Sequence, residues 1–176
     1  MLTDWTPDGR FLVFDENTET GSDLSYVPVS GDRKPVSYLK TKFNEQNPHV
    51  SPDGRWLAYQ SDESGRYEVY VRPFPDGERD KVQVSAEGGI DPRWSRDGTE
   101  IFYFSGDERL MVSTVRHVSS HFTVVTSEPL FHVRKTTNRT SYTVTPDGQR
   151  FLINTVSETT EAPITVLLDW TAAVQR

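Results

Sequence analysis

Cysteine is absent from the 176 residues and methionine occurs only twice. The first absence excludes a disulfide scaffold, a thiolate metal centre and a cysteine nucleophile. It says nothing about compartment. Positive charge is also scarce: 19 Lys and Arg stand against 26 Asp and Glu, a net charge of −7. That sign opposes a polyanion, so nucleic acid is not an expected partner. Long hydrophobic runs are missing too. No stretch approaches the ~18 apolar residues that would span a bilayer, and the first residues, MLTDWTPDGRF, have neither the basic nor the apolar region of a signal peptide. The expectation is a soluble chain without membrane insertion. Helical periodicity of useful length is confined to Trp170 to Arg176.

What the chain does have is a phrase that returns four times: WTPDGRFLVF from Trp5, VSPDGRWLAY from Val50, WSRDGTEIFY from Trp94 and VTPDGQRFLI from Val144. Its aspartates, Asp8, Asp53, Asp97 and Asp147, are separated by 45, 44 and 50 residues, a period at which repeat architectures are recognised. Each part has a mechanical reason. Pro7, Pro52 and Pro146 have φ preset for the second turn position, the aspartates tolerate the bridge region, and Gly9, Gly54, Gly98 and Gly148 adopt the left-handed conformation that returns the chain antiparallel. Arg96 replaces proline in the third copy, which the turn geometry tolerates. The recurring aspartates are therefore structural.

The residues after each turn, Phe11 to Phe14, Trp56 to Tyr59, Ile101 to Phe104 and Phe151 to Ile153, are apolar at consecutive positions. A strand patterned that way must be covered on both faces. Farther along, Tyr67 to Val71 still reads as strand, while Lys81 to Ser85 alternates polar with apolar, as suits a protected edge. Four antiparallel strands per repeat, stacked face to face, predict an all-β fold of β-propeller blades. The expected blades are 1–46, 47–90, 91–140 and 141–176. The last ends after a strand at Ile164 to Leu168 and lacks its outer strand, and only Met1 to Thr3 precede the first strand, so no strand is available to close a ring. Two arrangements follow. In one the chain is the C-terminal part of a larger propeller, which pairs with a copy of itself into an eight-bladed two-chain ring. In the other, four blades close by themselves. Trp5, Trp56 and Trp94 favour a wide ring.

The phrase [WV]-S-x-D-G-[RK], followed by Ser61-Asp62 and by Gly65-Arg66-Tyr67-Glu68-Val69-Tyr70-Val71-Arg72-Pro73-Phe74-Pro75, resembles the WD40-like repeats called PD40 in TolB-type propellers. It is similar above all to the propeller at the C-terminal end of bacterial, notably acidobacterial, serine/threonine protein kinases, whose chains finish with a segment like Pro163 to Trp170. The resemblance implies a non-enzymatic binding or scaffold module for a protein or peptide and, because TolB-like propellers usually face the periplasm, an extracytoplasmic setting. A fold of this kind hosts many activities, so a propeller-borne hydrolase or lyase and a pure assembly module remain as alternatives. The kinase motifs GxGxxG, H-R-D and D-F-G are absent, as is the G-x-S-x-G elbow of the peptidases that similar blades cap.

Candidate sites are few. Asp15, Asn17 and Glu19 have calcium-loop spacing, but the following glycine is one place late and no glutamate stands twelfth, so a polar hairpin loop accounts for them. His117 and His121 are four apart, which converges on a helix and not on a strand, and a solvated hairpin is expected there. Asp62-Glu63 and Asp107-Glu108 read as surface acids of hairpin loops. Asn138-Arg139-Thr140 is a glycosylation sequon that marks an exposed loop. No metal or other cofactor is expected. The places where a binding platform would vary its chemistry lie just before the turns, where strands entering from the ring axis begin: Asp4, His49, Arg93 and Thr143, with Asn47 and Asp91 nearby. These differ between repeats while the frame around them stays constant.

Overall fold

The computed structural model describes residues 2–19, 21–77, 81–118, 121–133, 142–155 and 165–167. Among the described residues, fifteen strands form four separate antiparallel sheets. The first contains β1 (Leu2–Trp5), β2 (Phe11–Asn17), β3 (Ser22–Pro28) and β4 (Val36–Leu39), and the second β5 (Glu45–Val50), β6 (Trp56–Ser61), β7 (Glu68–Pro73) and β8 (Val82–Gln83). The third holds β9 (Ile90–Trp94), β10 (Glu100–Phe104), β11 (Arg109–Val118) and β12 (His121–His132). The fourth has β13 (Tyr142–Val144), β14 (Phe151–Ile153) and β15 (Thr165–Leu167). Within each sheet the strands follow one another in chain order, the meander of a propeller blade. β1 begins two residues earlier than expected, and the edge strand read from Lys81 to Ser85 shrinks to Val82–Gln83. The sequon and the stretch from Trp170 to Arg176 lie outside the described residues.

The repeated turn is more tightly built than its proline and glycine imply. In all four copies the glycine amide donates to the carbonyl three residues back, as Gly9 does to Thr6 at 2.8 Å and Gly98 to Ser95 at 3.1 Å. The residue before the proline position is always Ser or Thr, and its hydroxyl donates to the turn aspartate: Thr6 to Asp8 at 2.7 Å, Ser51 to Asp53 at 2.6 Å, Ser95 to Asp97 at 2.7 Å, and Thr145 to Asp147. The same carboxylate accepts the amide two residues on, from Arg10, Arg55, Thr99 and Gln149. The hydroxyl oxygen accepts the amide that opens the next strand, such as Trp56 N at 3.0 Å. The aspartate is thus an acceptor that locks the hairpin, a role beyond tolerance of the bridge region.

The turn also sets register. Trp5, Val50, Trp94 and Val144 pair with Leu12, Leu57, Ile101 and Phe151, so these are equivalent positions in successive blades. The expected alignment of the apolar runs shifts by one in the third and fourth copies, where Glu100 and Arg150 occupy the place of Phe11 and Trp56. Side chains alternate between sheet faces, and three apolar cores result. Val13 and Leu24 of the first blade pack with Leu57, Tyr59 and Tyr70 of the second. The other face of the second blade, with Trp56, Ala58, Val69 and Val71, packs on Trp94, Ile101 and Tyr103. Phe102, Phe104 and Leu110 then pack on Tyr142, Phe151 and Ile153, with the Phe102–Phe151 and Phe104–Tyr142 rings edge to face at 5.1 and 4.9 Å.

Four blades with three cores leave two faces. Among the described residues no core joins the fourth blade to the first. Trp94 is buried against the preceding blade, whereas its counterpart Trp5 is 56% exposed, and Leu152 on the far face of the fourth blade is 45% exposed. Every residue of β6 is buried, while β14 alternates, so the doubly buried strand is realised only where a blade has two neighbours.

The hydroxyl and amide donors at the turns hold the carboxyls of Asp8, Asp53, Asp97 and Asp147 below the usual aspartate value of 3.8, Asp8 at about 2; burial works against this and is the largest single influence at Asp53. A carboxyl depressed in the folded state contributes stability that is present above the unfolded value and lost as pH falls through the folded one. Thermal midpoints should therefore fall between pH 4 and pH 2, and a double Asp53→Ala, Asp97→Ala variant should melt lower at pH 7 and lose less on acidification. Parallel pH profiles for the two proteins would contradict the clasp.

Candidate functional site

The first strand of each blade lies nearest its neighbours, and here polar side chains cross from blade to blade. Asp4, His49, Arg93 and Thr143 pair with Val13, Ala58, Phe102 and Leu152, so they occupy one position in four blades. They stand one residue before the end of each strand rather than at its start. Each side chain shares the sheet face that looks toward the next blade, which is why the first three form a line.

Asp4 accepts the Val50 amide at 2.8 Å through Oδ2 and the Trp5 amide at 2.8 Å through Oδ1. His49 Nδ1 lies 3.5 Å from the same Oδ2. On the far side of the ring Arg93 Nη1 bonds His49 Nε2 and also donates to the Pro92 carbonyl at 2.8 Å. The Arg93 guanidinium lies over the Tyr142 ring, 5.4 Å from its centroid, and the Tyr142 hydroxyl donates to the Asp91 carbonyl at 3.0 Å. Trp94 Nε1 donates to the His49 carbonyl at 2.9 Å and fixes that strand. Because a guanidinium has only donors, Nε2 must be the acceptor and the proton of a neutral His49 sits on Nδ1, facing Asp4.

Electrostatics agree with that tautomer. Burial lowers the His49 pKa below 6.5, the positive charge of Arg93 lowers it further, and the hydrogen bond to Asp4 only partly opposes them. Burial also works against ionisation of Asp4, yet the His49 contact and the Val50 and Trp5 amides outweigh it and keep the carboxyl below 3.8. The row thus reads carboxylate, neutral imidazole, guanidinium across three consecutive blades. His49 has no lone pair left with which to take a proton from a substrate.

A second layer lies beneath. Asn47 and Asp91 are equivalent residues with φ of 52° and 54°, left-handed values that Asn and Asp adopt more readily than most side chains. Each sits in a bulge of its strand, a device that re-aims side chains. Asn47 Nδ2 donates to Asp91 Oδ1 at 2.7 Å and to Gln60 Oε1 at 3.0 Å, and Gln60 Oε1 also accepts the Asp91 amide at 2.9 Å. The bulges therefore present matching polar groups across the gap between blades.

Five of the six residues singled out from the sequence are brought into these two layers. Thr143 is not: it is exposed, and Tyr142 is the residue of the fourth blade that meets Arg93. Tyr142, Gln60 and Trp94 were missed because nothing local marks them. The clasping Thr6, Ser51, Ser95 and Thr145 were missed as well, although a hydroxyl residue at that place in every copy was a signal that could have found them.

The remaining candidates resolve into structural roles. Asp15 and Asn17 lie within β2 and not in a loop, and among the described residues no group of three or more His, Asp or Glu side chains is placed to hold a metal ion. His117 is not solvated. Its ring stacks parallel to Phe122 with centroids 6.4 Å apart, and its Nδ1 lies 3.7 Å from Asp53, so it seats the β11–β12 hairpin on the second blade's turn. Asp62 is not a free surface acid either, since it accepts the Asn44 amide at 2.9 Å and the Asn44 side chain at 2.7 Å. Glu63 pairs with Lys81, and Asp107 with Arg109 at 2.9 Å.

Asp4→Ala removes the acceptor of a buried strand amide and leaves His49 Nδ1 without its partner. It should cost about 1–3 kcal/mol, seen as a lower urea midpoint, with Asp4→Asn recovering part of the loss. Unchanged stability in Asp4→Ala would remove the row's structural basis.

No family model matches the chain, and no curated protein matches its sequence. Solved structures do. TolB from Acinetobacter baumannii is 17% identical with a TM-score of 0.61, over 88% of this chain and 37% of that one. The periplasmic gluconolactonase PpgL from Pseudomonas aeruginosa is 14% identical at 0.52, over 85% and 48%. An oligogalacturonate lyase from Vibrio parahaemolyticus is 14% identical at 0.51, over 81% and 35%. The chain thus spans less than half the length of each of these proteins, and what it shares with them is the fold: a run of β-propeller blades of the kind TolB carries.

Proposed function

We propose that this chain is a non-enzymatic, TolB-like propeller module that binds a protein or peptide along its axial row and completes a ring with a second copy of itself. The observation that carries the binding reading is the line Asp4–His49–Arg93. Equivalent positions in a repeated frame have three different charge states there, held in place by backbone amides and by Tyr142. Structural need alone would repeat the same residue, as it does at the turn aspartates. The engaged Nε2 of His49 favours binding over acid–base chemistry. Arg93, anchored by His49, Pro92 and Tyr142, presents a prepositioned fork whose natural complement is a carboxylate.

The second copy is argued from the two uncovered faces. Trp5 occupies the place that Trp94 fills inside a core, and Leu152 faces away from the third blade. The far face of a fourth blade is the surface a first blade is built to meet, and soluble proteins seldom leave contiguous apolar faces in water. Two arcs of four blades would give eight, within the usual propeller range. An extracytoplasmic setting is supported by the periplasmic location named for the Pseudomonas gluconolactonase, and the likeness of the repeat phrase to kinase-linked propellers supports a sensor or scaffold role beside a catalytic domain.

Light scattering over a concentration series tests the assembly. A species near twice 20.1 kDa that reverts to single mass in Trp5→Glu and in Leu152→Glu is the expected result, and a single-mass species at every concentration overturns it. For the binding role, peptides with free carboxylates selected on the wild-type chain should bind Arg93→Gln at least tenfold more weakly. Retention of full affinity would dismiss the row as the site.

A further inference from the structure

The first two joints between blades correspond residue by residue, which makes a departure at one of them informative. At the joint between the second and third blades, Glu68 is buried and fully satisfied. Its Oε1 accepts Arg66 Nε at 2.7 Å and the Gly88 amide at 2.9 Å, and its Oε2 accepts the Ser85 hydroxyl. Gly89 follows in the linker, and a Cβ there would lie 2.3 Å from Ser85 Oγ and 3.0 Å from a Val69 methyl. That joint holds one carboxylate and has no room for another side chain.

The strand registers locate the equivalents one joint earlier. Asp23 stands where Glu68 stands, because Leu12 pairs with Val27 as Leu57 pairs with Arg72. Glu45 stands where Gly89 stands, because Gln46 pairs with Gln60 as Ile90 pairs with Phe104. Thr41 and Asn44 take the places of Ser85 and Gly88 by the same spacing. Their donors, however, are used differently. The Thr41 hydroxyl donates to Glu45 Oε1 at 2.5 Å instead of to Asp23, and the Asn44 amide donates to Asp62 at 2.9 Å. Asp23 keeps the Thr18 hydroxyl, at 2.7 Å. The outcome is two carboxyl groups, 2% and 1% exposed, where the other joint has one. Asp23 Oδ1 and Glu45 Oε2 are both buried without a hydrogen-bond partner, as is the Ser22 hydroxyl oxygen beside them in the chain.

Two ionised carboxylates with orphaned oxygens are a costly thing to bury, and a like charge nearby raises the cost for each. A bound metal ion is the weaker answer, since no group of three acidic or histidine side chains among the described residues is placed to hold one. We infer that the joint between the first and second blades holds a proton on Glu45, and that this proton is a pH-sensitive latch of the first blade on the rest of the arc. The charged groups that act on Glu45 favour it: Asp23 from β3, and Glu63 and Asp62 from the turn after β6, are negative, and Glu63 is itself paired with Lys81. Burial is the largest influence, the Thr41 hydrogen bond opposes it, and the Glu45 carboxyl rises from 4.5 to about 7.

The sign follows from proton counting. The folded protein holds a proton that the unfolded chain releases above 4.5, so stability falls as pH rises from about 4.5 to about 7 and levels off beyond. The shift corresponds to a loss of up to ~300-fold in the folding constant over that window. Burial of neutral His49 acts in the opposite direction, since its charging weakens the fold as pH falls below 6.5. The test is therefore a difference between variants of the full chain.

Carboxyl carbon NMR should show Glu45 titrating near pH 7, and thermal midpoints of wild type minus Glu45→Gln should decline from pH 4.5 to pH 7.5. Protection factors of the Ser22 and Asn44 amides, which discount the intrinsic pH dependence of exchange, should fall between pH 4.5 and pH 7.5 in wild type and stay level in Glu45→Gln. Should Glu45→Gln fold poorly, Glu45→Gly restores the residue of the other joint and Asp23→Asn removes the repelling charge. Glu45→Gly should flatten the pH difference and Asp23→Asn should lessen it. A Glu45 resonance titrating near 4.5, or midpoints of wild type and variants that run parallel, would overturn the latch. So would calcium raising the wild-type midpoint at pH 8 but not that of Glu45→Gln, since the joint would then be a cation site.

Discussion

A β-sheet that is apolar on both faces has to be covered twice, and most of this structure follows from that constraint. Consecutive apolar residues after each turn put Leu57 and Tyr59 on one side of β6 and Trp56 and Ala58 on the other. Neither side tolerates water, so the blades stack. Stacking in turn brings the first strands of neighbouring blades together, places Asp4, His49 and Arg93 within reach of one another, and sets the linkers at Asn44 and Gly88 under the ends of adjacent strands. It also creates the two faces at the ends of the arc, where the same patterning finds no partner among the described residues.

A repeated frame separates what folding demands from what it permits. The Ser/Thr–Asp clasp recurs unchanged in four turns because the hairpin needs it. At two other kinds of position the frame is constant and the residues are not. One is the axial row, where carboxylate, imidazole and guanidinium succeed one another. The other is the joint below it, where a glycine in one place is a glutamate in the next. In both, the local backbone is the same in successive blades, so the difference lies in the side chains and in what they can bind or hold.

The solved structures similar to this chain include a TolB, a gluconolactonase and a lyase, which is what a platform fold leads one to expect. Among the described residues, the imidazole of His49 is tied up between an acid and a guanidinium. A histidine so engaged orients its neighbours, Asp4 on one side and Arg93 on the other.

Turns, strands and the four-fold repeat were legible in the sequence because their causes are local: a preset φ at Pro7, a left-handed Gly9, and apolar runs a few residues long. Comparing repeats also picked out Asp4, His49 and Arg93, which the structure brings together, whereas Thr143 is exposed and it is Tyr142 that lies beneath Arg93. Packing of His117 on Phe122 and docking of Asp62 by Asn44 were not legible, since a hairpin's polar residues look solvent-bound until a neighbouring blade arrives. By itself the sequence determined the blade, because a blade is made of contacts between residues close along the chain. Only the tertiary structure decided which charges meet, because Asp4 and His49, or Asn47 and Asp91, lie some 44 or 45 residues apart, and their distances depend on how one sheet settles against the next.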